Sequence, residues 1–304
     1  LCDSRPQLIG NPIASSHQTN QFVTTPVYTW WLMLCVVALV NIAAGWLSAV
    51  TLSRRQQHYP AREYQHRRWL LWLSAGYVAG CAFRSFLPRI DLERICLVQS
   101  WLSRMVVGRS VATIAELCFM AQCALLLHIA GRGTDNRFTI NISRLLVPLI
   151  IIAECASWYA ILSTNYFGHV LENSIWTGCA ALLLLCFFRL WSHSKRRQRL
   201  FLVAMMLFAA SYIVFMVSVD VPMYWSRWQA QLAASVQHLS LWRGLIDASQ
   251  RCVVSFEFVI WRQEIPWMTL YFTIAVWVSI LLPHAPGWRN TFHHQRPVES
   301  DRVE

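Results

Sequence analysis

From Val27 to Thr51 the chain runs through an apolar stretch that contains no charged residue. A helix that crosses a bilayer needs about 20 mostly apolar residues, since nothing in the hydrocarbon can satisfy an exposed backbone. Stretches of this kind recur at 27–51, 69–87, 111–131, 145–163, 173–191, 200–219 and 267–283, the second being the weakest because Arg84 falls inside it. They predict an all-α, polytopic integral membrane protein. Its bundle of seven transmembrane helices occupies 27–283 as one domain, between a polar tail at 1–26 and another at 284–304. Composition agrees: 56% of the 304 residues are hydrophobic and 13% charged, whereas a soluble domain carries about 25% charged residues.

The charges between the stretches set an orientation, because loops rich in Lys and Arg stay in the cytoplasm. The alternate segments holding Arg54, Arg55, Arg62, Arg67 and Arg68, then Arg132, Arg137 and Arg144, then Arg189, Lys195, Arg196, Arg197 and Arg199, then Arg289, Arg296 and Arg302 contain sixteen of the 26 basic residues. This side is expected to be cytoplasmic, with the C-terminus on it and the N-terminus outside. The net charge of +11 therefore reflects topology. It forms no continuous basic face of the kind that nucleic acid requires.

Two segments between spans fall on the expected outer side, 90–107 and 224–265. Ile95, Val98, Trp101, Leu102 and Met105 recur at helical spacing, as do Leu232, Val236, Leu239, Trp242 and Leu245. Both read as amphipathic helices in the headgroup region, with Arg94 and Arg104 reaching lipid phosphates. The run "CVVSFEFVIW" at 252–261 is too short to span. Of the outward cysteines Cys2, Cys96 and Cys252, any two could pair, and Cys96 with Cys252 would join the two outer loops.

The candidate site residues are charges where lipid would penalise them. Arg109, Glu116 and Cys123 share one face of the third span, with Thr113 and Met120, while Ser74, Tyr77, Cys81 and Arg84 share one face of the second. A carboxylate facing lipid costs several kcal/mol. Glu116 is therefore expected to point into the bundle, with Arg84 or Arg109 as its partner. Glu154 lies midway through the fourth span beside Ser157 and Trp158, Glu172 opens the fifth, and Asp220 closes the sixth. The set Arg84, Arg89, Arg109, Glu116, Glu154 and Asp220 reads as a polar pocket near the outer face. Its arginines are suited to a phosphate or carboxylate by their planar fork of donors, and Glu116 and Glu154 are suited to proton exchange or hydrogen bonding.

Other chemistries find little footing. No CxxC, HxxxH or HExxH spacing suggests zinc or a bundle-type haem, so no metal is expected. His128, at the end of the third span, is better read as an interfacial, hydrogen-bonded histidine than as an axial ligand. A retinal Schiff base requires a lysine in the last span, yet Lys195 in the "SKRRQR" loop is the only lysine. The DRY-like and NPxxY-like marks of G-protein-coupled receptors and the last-span histidines of ceramidase-like hydrolases are also missing. The expected function is binding of an anionic lipid or small anionic ligand, with membrane lipids and possible fellow membrane subunits as partners. The alternatives are a non-catalytic subunit or scaffold of a larger membrane complex, and a sensor that signals through a separate partner.

Overall fold

The computed structural model describes residues 26–288; Cys2 and Arg289, Arg296 and Arg302 lie outside them. The chain is a helical bundle whose long elements are α1 (Pro26–Arg54), α2 (Ala61–Phe86), α3 (Met105–Gly133), α4 (Arg137–Ser163), α5 (Phe167–Trp191) and α6 (Arg196–Phe215). A π-helical turn, Met216–Asp220, carries α6 directly into α7 (Val221–Ala233). After α8 (Leu241–Gln250) and the short α9 (Phe258–Trp261), the last long helix runs from Ile265 to His284. It consists of α10 (Ile265–Leu270), a π turn (Tyr271–Ala275), α11 (Val276–Leu281) and a 3-10 turn.

Among the described residues, six helices are long and apolar enough to cross a membrane: α1, α3, α4, α5, the α6–α7 helix and the last one. Their outward positions are apolar, as Leu32, Val36, Leu39 and Trp46 show on α1, which suits a surface solvated by lipid chains. α2 is 26 residues long but less apolar, because Arg62, Glu63, Arg67 and Arg68 occupy its first turns. It nevertheless packs between α1 and α3. Its buried Arg67 bonds Glu63 at 2.9 Å and the Pro283 and Ala285 carbonyls at 2.8 and 2.9 Å, which ties α2 to the end of the last helix.

Polar side chains fix the register of this half of the bundle. Gln122 on α3 donates to the carbonyls of Leu70 and Ser279, and Ser279 bonds Gln122 and Ser74 in return. Asn41 on α1 donates to the Phe272 carbonyl at 2.8 Å, within the π turn of the last helix. Buried polar groups cost free energy unless paired, so each of these pairs favours one alignment of the helices over its neighbours.

The helix expected at 90–107 is replaced by other structure, and the segment expected to be helical at 224–265 is divided among several shorter helices. Residues 90–107 hold the hairpin β1 (Arg89–Ile90) and β2 (Ile95–Cys96), a 3-10 turn (Trp101–Ser103) and the start of α3. β2 also pairs in parallel with β3 (Val253–Val254), and a disulfide joins Cys96 to Cys252. Arg94, expected among headgroups, is buried at 1% exposure with a left-handed φ of 60°, bonding Asp247 Oδ2 at 2.9 Å and the Ile161 carbonyl at 2.8 Å. These long-range bonds outweigh the local helical period of Ile95–Met105, which by itself favours a helix.

In the segment 224–265, helix α6–α7 continues to Ala233. Its 38 residues measure about 57 Å, well beyond a hydrocarbon core of about 30 Å. α8 alone lies across the bundle end, against α3 and α4. There a Cβ on Gly244 would sit 1.6 Å from the Leu162 carbonyl oxygen, so only glycine allows this approach. "CVVSFEFVIW" forms β3 and α9, with Trp261 fully buried.

Candidate functional site

Two groups of charges meet at the hairpin end of the bundle. The first centres on Arg109, one turn into α3. Its Nη2 lies 2.6 Å from Glu154 Oε2 on α4, 3.1 Å from Glu172 Oε1 on α5 and 3.4 Å from Glu116 Oε2 two turns further along α3. All four side chains are buried. Thr113 donates to Glu154 Oε2 at 2.6 Å and accepts from Trp158 Nε1 at 3.1 Å, while His169 Nδ1 meets Glu172 Oε2 at 2.6 Å. Glu116 thus faces inward, and its partner is Arg109 and not Arg84.

The ligand oxygens of Glu116, Glu154 and Glu172 all lie within 4.8 Å of one another. That spacing could hold a metal ion, but the Arg109 guanidinium already occupies the position of the cation. Two carboxylates at such a distance repel by about 3 kcal/mol at an effective dielectric of 20. Three of them against one guanidinium therefore leave negative charge that needs protons or a further cation.

The second group is cationic. Arg84, at the end of α2, reaches Asp91 Oδ2 at 3.8 Å, and Arg89 on β1 places Nε 3.3 Å from Asp91 Oδ1. One carboxylate thus serves two arginines. The Arg89 side chain is 0% exposed, yet none of its three guanidinium nitrogens has a hydrogen-bond partner among the described residues; Arg84 Nε also lacks one. The Arg89–Asp91 contact is close enough for an ion pair but not aligned for a hydrogen bond. Burial pulls Arg89 down to about 10, with Asp91 opposing the shift, so the group stays charged at neutral pH. Its guanidinium lies against the backbone of α3 at Gly108, where a Cβ would fall 1.2 Å from Cζ.

Both groups line one cavity of about 540 Å³. Arg84, Arg89, Asp91, Arg109, Glu116, His169 and Glu172 stand in its wall, whereas Glu154 does not. Asp220 is also in the wall, bonded to Asn173 Nδ2 at 2.6 Å and not to either arginine group. Tyr166 donates to Glu93, and burial together with that carboxylate pushes its hydroxyl upward. Arg227 on α7 approaches Glu93 at 3.9 Å and bonds Glu264 at 2.8 Å, and Glu264 accepts from Trp267 Nε1 at 2.6 Å. These pairs tie the hairpin loop, α5, α7 and the last helix together at the charged end of the cavity.

Sequence reasoning left Asp91, His169, Glu172, Arg227 and Glu264 out of the candidate set. Only His169 and Glu172 carried a local signal, their i, i+3 spacing at the start of α5. His128 bonds Ser143 Oγ at 3.3 Å. No protein-family model, no curated protein and no solved structure matches this chain.

Proposed function

We propose that this chain is a seven-span membrane protein, α2 included, with its N-terminus outside and its C-terminus in the cytoplasm. In this reading its cavity binds the anionic group of a lipid or small ligand at Arg84 and Arg89, near the outer face. The orientation rests on the basic segments at 54–68, 132–144 and 189–199, which lie at the end of the bundle away from the hairpin.

The observation that carries the binding reading is Arg89. A buried guanidinium whose donors are unfilled costs free energy, and this one stands in a cavity wall with no nitrogen hydrogen-bonded and only the Asp91 ion pair, shared with Arg84, to offset its charge. An oxyanion would accept those donors, because phosphate and carboxylate fit the planar fork in pairs. Glu116 supplies a carboxylate beside the bound group, held by Arg109, that can exchange a proton or accept a hydrogen bond from it.

Thermal unfolding of the detergent-solubilised protein tests this, with inorganic phosphate and acetate as probes. A ligand that binds only the folded form stabilises by about 2.7 kcal/mol at a hundred times its Kd. Phosphate or acetate is expected to raise the Tm of the wild type at constant ionic strength, and not that of Arg89→Gln. An equal shift in both, or no shift in the wild type, would overturn the reading.

A further inference from the structure

The walls of the cavity change character along its length, in the same direction on every helix. On α3 they run from Arg109 to Cys123, and on the last helix from Glu264 to Val278. Each stretch corresponds to about 21 Å of helix. On α5 and α6 the same gradient leads from Glu172 and Asp220 to Phe187 and Met205. A small anion at Arg89 would leave most of this depth as empty apolar space.

The cavity also has an open side. α6 packs on α5, and the last helix packs on α1 and α2, but α6 and the last helix share no extended packed face. Leu207 on α6 and Ile274 on the last helix both line the cavity, yet they are 64% and 49% exposed. Both belong to helices apolar and long enough to span, so the opening between them faces the position of lipid chains. Each of these helices also carries a π turn bordering the cavity, at Met216–Asp220 and Tyr271–Ala275. Such turns occur frequently at functional sites.

We propose that the occupant is a membrane lipid with a phosphate head and a long hydrocarbon chain, taken up sideways between α6 and the last helix. The phosphate meets Arg84 and Arg89, and the chain fills the apolar length down to Phe187 and Val278. The polar pairs of Arg227, Glu264 and Trp267 hold the charged end together, so the bilayer side is the direct path for a chain. This inference rests on the anion reading above and adds to it the chain and its route.

Three probes with the full-length protein in detergent test it: lysophosphatidic acid, glycerol 3-phosphate with the same head and no chain, and monoacylglycerol with a chain and no phosphate. Binding is read by native mass spectrometry and by calorimetry. Lysophosphatidic acid is expected to bind at least about tenfold tighter than either of the others. Leu207→Trp and Ile274→Trp, both at exposed positions, are expected to weaken it at least tenfold while glycerol 3-phosphate binding is unchanged. Arg89→Gln is expected to weaken both phosphates.

Equal affinity for lysophosphatidic acid and glycerol 3-phosphate, with no effect of the tryptophan variants, would overturn the chain and its route while the anion site stands. Equal affinity for monoacylglycerol would overturn the phosphate head. No binding of either phosphate, or binding indifferent to Arg89→Gln, would overturn both readings.

Discussion

Replacing Gly108 by alanine adds one methyl group to α3 and touches no charge, yet it strikes at the site. The new Cβ would lie 1.2 Å from Arg89 Cζ and 1.6 and 1.7 Å from its terminal nitrogens, far inside any allowed contact. The Arg89 side chain must leave its place or the backbone must shift. Alanine in a helix is favoured over glycine by about 1 kcal/mol, and the displaced guanidinium gives up no hydrogen bond but does give up its ion pair with Asp91. Global stability should therefore fall by no more than about 1–3 kcal/mol, the usual cost of an added methyl in a packed interior. Anion binding should suffer more, since a hydrogen bond to a charged group contributes about 1.5–3 kcal/mol, equivalent to a loss of about ten- to a hundredfold in affinity. Titration of lysophosphatidic acid into wild type and Gly108→Ala, alongside their thermal unfolding, makes the comparison. Unchanged affinity in a variant that still folds would refute the role given to Arg89.

The Arg109 cluster should respond asymmetrically. Arg109→Gln leaves three buried carboxylates without their cation and should cost about 3–5 kcal/mol, whereas Glu154→Gln removes repulsion as well as attraction and should cost much less; equal losses in denaturant unfolding would contradict that electrostatic picture. Cys252→Ser should lower stability by about 2–5 kcal/mol because the lost cross-link closes a long loop, and reductant should lower the Tm of the wild type but not of the variant. For topology, single cysteines at the exposed Ser192 and Gln237, in a background without free thiols, should differ in intact cells. An impermeant reagent should label the Gln237 position and spare Ser192, and the opposite pattern would reverse the orientation.

The long helices were legible because a spanning helix is a local property of about 20 residues, and the apolar runs at 27–51, 145–163 and 173–191 lie within helices of the structure. α2 was read with its start eight residues late, since Arg62, Glu63, Arg67 and Arg68 hide its first two turns. The inward face of Arg109 and Glu116 followed from helical spacing and the cost of a charge in lipid. The partners of those charges did not. Glu154 and Glu172 meet Arg109 only through the packing of α3, α4 and α5, and Asp91 joins Arg84 and Arg89 only because β1 turns back over α3. Residues 95–105 misled for the same reason. Their apolar period is genuine, but the disulfide and the Arg94–Asp247 pair come from 156 and 153 residues away in sequence and, with β3, decide the conformation.

An experimental density map of the protein purified in mild detergent with lysophosphatidic acid would show directly whether a lipid occupies the cavity. An elongated non-protein density is expected, its head about 2.7–3.2 Å from the terminal nitrogens of Arg89 and its chain running between Leu207 and Ile274. A cavity holding only water, or an Arg89 guanidinium turned away to a protein carboxylate, would contradict it.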